Sequence, residues 1–203
     1  MKRFELVAGI GSMLLVASCA ATKPEPLPPP TVSVSEAKGE GTGMKESTTT
    51  VTARVEAIDQ KTRMVTLKGS DGKTVTFRAS DDVKNLPQVK RGDLVNVVYY
   101  ESLAYEVRKK GQGKTGATAT TDVATAPLGE MPAAVGARTV TLTAKVTGID
   151  RKTNTVTLKG PKGKSVAVKV KDPSRLEGVK VGDLVDITYS EALGISVEEA
   201  PKS

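Results

Sequence analysis

Residues 52–75, TARVEAIDQKTRMVTLKGSDGKTV, return as TAKVTGIDRKTNTVTLKGPKGKSV at 143–166. Farther along, LPQVKRGDLVNVVYYESL (86–103) returns as LEGVKVGDLVDITYSEAL (176–193). Roughly half of the aligned positions are identical, which marks an internal duplication rather than a shared composition. The duplication sets two expected units, a first repeat over 51–108 and a second over 139–199.

Within a repeat the apolar period is two. Val51, Ala53 and Val55 alternate with Thr52, Arg54 and Glu56, as in a half-buried strand. Asp59-Gln60-Lys61-Thr62 supplies turn chemistry before 64–67 resumes the alternation, and Gly69-Ser70-Asp71-Gly72 turns again into 74–77. An irregular stretch with Pro87 follows, then Gly92-Asp93 opens a strand over 94–99, and a fifth strand falls near 103–108. The second copy matches, with Leu142, Ala144 and Val146 leading and Ile195 and Val197 closing it.

The expected fold class is therefore all-β. Five short strands per unit, with the longest connection between the third and fourth, predict two tandem small OB-like barrels, since closing a small sheet removes its exposed edges. An open antiparallel sheet of five strands is the alternative. The Gly/Ala/Thr/Pro-rich stretch 109–138 reads as a flexible linker between the barrels. Residues 19–50 read as a disordered, Pro-rich tether, because KPEPLPPP (23–30) favours polyproline II and the polar run after it shows no apolar period.

The opening "GxID…TxTVTL" and the "VKxGDLV" fourth strand resemble small periplasmic barrels, among them the copper-binding chaperones of silver and copper efflux systems. That resemblance implies a barrel but not a metal site. The family binds copper with a His, a Trp and paired Met residues, whereas this chain has no His and no Trp. Its one Met inside a repeat, Met64, is Thr155 in the other copy. No cofactor and no metal site are expected.

The N-terminus reads as an address. Met1-Lys2-Arg3 precedes an apolar run, LVAGIGSMLLV (6–16), that is far shorter than the roughly 20 residues of a spanning helix. Val16-Ala17-Ser18-Cys19 then resembles the lipobox of bacterial lipoproteins. The resemblance implies a signal peptide over 1–18, cleavage before Cys19 and acylation of that residue. Several acyl chains, each contributing about 0.8 kcal/mol per buried methylene, hold a protein where one chain does not. Ala20, where an Asp would suggest inner-membrane retention, points to the outer membrane facing the periplasm.

Composition narrows the chemistry further. The 203 residues contain no His and one Cys, so no His-based catalytic dyad, intrachain disulfide or thiolate zinc site can be assembled. The net charge of +7 is spread among interleaved acids and bases, and aromatics are 3%, so a specific nucleic-acid surface is not expected. Gly72-Lys73-Thr74, Gly113-Lys114-Thr115 and Gly163-Lys164-Ser165 imitate the end of a phosphate-binding loop, but the upstream Gly is Leu67, Arg108 or Leu158. The acids common to both copies, Asp59/Asp150, Asp93/Asp183 and Glu101/Glu191, read as turn formers and solvent-facing residues.

Tyr99 and Tyr189 read as core. Tyr100 and Tyr105 lack repeat partners and are candidates for a surface contact, together with Lys159, Lys162 and Lys164 of the more basic hairpin tip. The expected function is that of a membrane-anchored envelope lipoprotein, not an enzyme, acting as a binding or assembly module. Its expected partners are the membrane through Cys19 and an envelope protein or anionic polymer. A carboxylate-dependent enzyme or periplasmic metal carrier is the alternative.

Overall fold

The computed structural model describes residues 25–200, which form an all-β protein. The strands are β1 (Thr31–Gly39), β2 (Thr42–Asp59), β3 (Met64–Lys68), β4 (Thr74–Arg78), β5 (Leu94–Arg108), β6 (Gly116–Thr125), β7 (Ala133–Asp150), β8 (Thr155–Lys159), β9 (Ser165–Lys169) and β10 (Leu184–Glu198). Two short 3-10 turns, Leu86–Gln88 and Pro173–Leu176, sit before β5 and β10. Among the described residues no helix is long and apolar enough to cross a membrane.

The arrangement is one antiparallel sheet, not two barrels on a flexible linker. Its order is β4-β3-β2-β5-β10-β7-β8-β9, with β1 beside β2 and β6 beside β7. The strands expected at 94–99 and 103–108 are a single strand, β5, and β10 is continuous in the same way. Nothing between them breaks the chain: Tyr100-Glu101-Ser102 offers no Gly, Pro or Asn, and Val97, Tyr99, Glu101 and Leu103 alternate without interruption.

The fifth strand of each half comes instead from the stretches read as tether and linker. TVSVSEAKG is β1, joined to β2 by Glu40 and Gly41, the latter at φ +66°. GATATTDVAT is β6, and β7 begins at Ala133. Both strands mix β-branched Thr and Val with small Ser, Ala and Gly, residues that fit a pleated ribbon yet carry little apolar signal.

Register gives the sheet a pseudo-two-fold axis. β5 and β10 pair along their whole length, from Leu94↔Glu198 to Arg108↔Leu184, with Glu101 opposite Glu191 at the centre. β2 and β7 each carry a bulge, between Val55 and Ala57 and between Val146 and Gly148. A bulge bends its strand and strengthens the twist, so β3-β4 and β8-β9 curl over the same face of the sheet and make two lobes.

Each lobe has its own core, and each core is completed by the other repeat. Val55, Val65, Leu86, Val89 and Val95 form the first, with Val197 from β10 packed against them. Ala144, Val146, Leu158, Leu176 and Val185 form the second, with Tyr105 and Val107 from β5. The Gly-Asp turns lock this exchange. Asp93 is buried and accepts hydrogen bonds from Lys90 N (2.8 Å) and from Ala200 N just past β10 (3.1 Å). Asp183 does the same for Lys180 N (3.0 Å) and Lys110 N just past β5 (3.1 Å). The strand that would have folded back onto its own repeat crosses to the other.

Candidate functional site

Between the lobes the sheet is one layer thick, and its two faces differ. On the lobe-bearing face, β5 and β10 present Tyr99, Glu101 and Leu103 opposite Leu193, Glu191 and Tyr189. Leu103 is 54% exposed and Leu193 44%. Val32, Val34 and Val123 stand exposed on the same face, on β1 and β6, separated from this floor by Thr49, Ser47 and Gly136 of β2 and β7. The opposite face is lined with hydroxyls tied across strands: Thr139 to Ser190 (3.1 Å), Thr141 to Thr188 (3.1 Å) and Thr52 to Asn96 (2.8 Å).

At the axis, the Tyr189 hydroxyl lies 2.9 Å from Glu101 Oε1 and 3.1 Å from Glu191 Oε2. The neighbouring Glu101 carboxylate, then the Tyr99 hydroxyl, burial and Glu191, push the Tyr189 pKa well above the ordinary phenol range. Two carboxylates and two phenols thus sit at the axis, in a polar row completed by Ser47 beside Glu101 and Arg138 beside Glu191, in a place open to water. Such a group can accept hydrogen bonds from a docked amide or cation, while its exposed apolar surroundings supply contact area.

The floor leads into the first lobe, where Phe77, Ile195 and Val197 border a cavity of about 340 Å³. Its wall is aliphatic, with Val55, Val65, Leu86, Val89 and Val95 inside and the connection 126–132 at the rim. Asn85 is buried and fixes that connection, donating to Pro127 O (2.7 Å) and accepting from Gly129 N (3.2 Å).

Tyr99 and Tyr189, read as core, are not in either core. Tyr99 is 38% exposed and Tyr189 half-buried at the axis, because each lobe curls over only one end of the long strands. Tyr105, singled out as an exposed contact, is half-buried on the second core with the Arg175 guanidinium 5.8 Å from its ring centre. Tyr100 lies on the hydroxyl face, half-buried, and donates to Glu46 Oε1 (2.7 Å). Lys159, Lys162 and Lys164 are exposed around the β8–β9 hairpin tip, far along the chain from the axis. Cys19 lies outside the described residues.

Asp59 and Asp150 accept from the backbone of the turns they open (Lys61 N and Lys152 N, 2.8 and 2.9 Å), so their carboxylates are occupied locally and held below the usual range, with Thr62 and Thr153 as the largest cause. Gly72 and Gly163 stand at φ +79° in hairpin tips rather than at a helix start. Among the described residues no three His, Cys, Asp or Glu side chains converge as a metal-binding group would.

The chain matches none of the family models, curated proteins or solved structures with which it was compared.

The face between the lobes is not legible in the sequence because it depends on the pairing of one repeat with the other. Glu101 and Glu191 were visible as a shared pair of acids, but only register places them opposite each other.

Proposed function

We propose that this chain is a membrane-anchored lipoprotein of the bacterial envelope, held by acyl groups on Cys19, and that it serves as a non-catalytic binding or assembly module. The observation that carries the binding role is the apolar floor around Tyr99, Leu103 and Leu193, left open between two lobes on one face of the sheet. Exposed large apolar side chains grouped on one face and rimmed by polar residues mark an interaction site. The lipobox-like Val16-Ala17-Ser18-Cys19 supports the anchor, and Ala20 supports an outer-membrane location facing the periplasm.

The partner this surface suits best is an envelope protein, with the basic tip at Lys159, Lys162 and Lys164 available to anionic polymer. Catalysis is the weaker reading of the Glu101–Glu191 pair, because an open floor does not exclude water or strengthen the local field. A photo-crosslinking residue placed at Leu103 or Leu193 in growing cells tests the role. A discrete adduct from these two sites, absent when the probe stands at Thr48 or Thr139 on the opposite face, is the expected result. Equal labelling from both faces would contradict it.

A further inference from the structure

The two lobes descend from one unit, so their differences show what each has been altered to do. In the second lobe, Tyr105 lies on the core and under the Arg175 guanidinium. Its partner across the ladder is Gly43, where an added Cβ would stand 2.5 Å from Tyr105 Cε1, so only glycine leaves room for the ring. The connection beside it, Glu40-Gly41, is two residues long. In the first lobe the same places hold Ile195 for Tyr105, Ala134 for Gly43 and Asn85 for Arg175. The connection there has seven residues, 126–132, drawn aside by its bonds to Asn85. In the second copy an aromatic ring packs on the core at this place, and in the first the same place borders the 340 Å³ cavity.

We propose that the first-lobe cavity is a binding site for a single linear acyl chain with an anionic head. The wall is mostly apolar, Phe77 joining the aliphatic side chains, and the buried amide of Asn85 is already engaged by Pro127 O and Gly129 N, the usual composition of a small-molecule pocket. At about 30 Å³ per heavy atom, the volume holds roughly eleven atoms, the size of a medium-length fatty acid. The rim carries Arg78, Lys84 and Asp82. Arg78 is paired with Asp81 (3.0 Å), whereas Lys84 reaches only a backbone carbonyl, Asp81 O (3.0 Å), which leaves its ammonium charge available to a carboxylate or phosphate. The site depends neither on the Cys19 anchor nor on what docks between the lobes.

The test uses the full chain, purified from membranes into amphipol, and a diazirine derivative of dodecanoic acid. Saturable labelling, competed by dodecanoate and mapped to peptides carrying Val65, Phe77, Val89 and Ile195, is expected. Transplanting the filled arrangement, with Ile195→Tyr and Ala134→Gly together, should cut that labelling at least tenfold while the melting curve stays cooperative. If the double variant does not fold, Ala126→Leu at the mouth, away from either core, should reduce labelling in the same direction. Lys84→Glu should weaken competition by dodecanoate several-fold. A folded double variant that labels like the unaltered chain, or label mapping to the floor around Leu103, would overturn the proposal. Cross-links from Leu103 would be unaffected by either result, so failure of this site and failure of the docking surface are told apart.

Discussion

Cutting the chain after Lys110 should convert an intramolecular pairing into an intermolecular one. A fragment of residues 25–110 keeps β1 to β5 but loses β10, and with it fifteen cross-strand pairs along β5 and the side chains of Ile195 and Val197 over the first core. With about one backbone bond per pair, at a net 0.5–1.5 kcal/mol each, the loss is on the order of 10 kcal/mol. That is comparable to the whole stability of a typical domain, about 5–15 kcal/mol, so an isolated monomer should not hold the fold. The fragment nevertheless has a substitute at hand. Because the β5–β10 ladder is centred on equivalent glutamates, β5 can pair with β5 of a second copy, Glu101 against Glu101, Tyr99 against Leu103 and Val95 against Val107. Sedimentation equilibrium should show a concentration-dependent dimer whose β-sheet circular dichroism is lost on dilution. Glu101→Cys, which then supplies the only thiol, should oxidise to a covalent dimer, since Cα atoms opposed across an antiparallel pair stand about 4.5–5.5 Å apart, within disulfide reach. A fragment that sediments as a folded monomer with the full chain's melting temperature would refute the exchange of strands between repeats.

Gly43→Ala should destabilise the second lobe by about 1–3 kcal/mol through overpacking against Tyr105, and adding Tyr105→Ile should restore the melting temperature, because Ala134 and Ile195 already form that pair in the other half. Val55→Ala and Val146→Ala remove side chains only 1% and 0% exposed and should each cost about 1.5–3 kcal/mol; calorimetry should still show one transition, since the long strands join the lobes. Burial opposes ionisation of Asp186, but the Arg108 guanidinium (ion pair 2.7 Å) and the Thr143 hydroxyl (2.6 Å) outweigh it and hold the carboxyl below its ordinary 3.8. Its folded pKa being the lower one, the stability it contributes is present above 3.8 and lost as the pH falls through the folded value, so Asp186→Asn should flatten the acid limb of a melting-temperature profile.

Within each repeat the strands β2 to β4 and β7 to β9 are legible in the sequence, and so are the turns that join them. The alternation around Val55 and Val65 and the turns at Asp59, Gly72 and Gly92 lie where the residues put them. What the pattern could not carry was partnership. A period of two says that 103–108 is a strand with Val107 facing a core, but both repeats present the same apolar face, so folding back and crossing over satisfy it equally. β1 and β6 escaped notice because Thr, Ser and Ala carry little hydrophobic contrast, although Thr-rich segments form strands readily beside an existing ladder. The same limit hid the candidate site. Tyr105 looked free because its repeat partner is Ile195, and only the glycine across the ladder shows that the ring is housed.

If the proposed role is right, this surface is presented from a membrane by a lipid on Cys19. Intact-mass analysis of the protein extracted from the membrane fraction tests it directly. A chain lacking residues 1–18, with Cys19 at its N-terminus and the added mass of acyl groups on that residue, is the predicted result. A protein that retains Met1, or that carries a free thiol at Cys19, would contradict it.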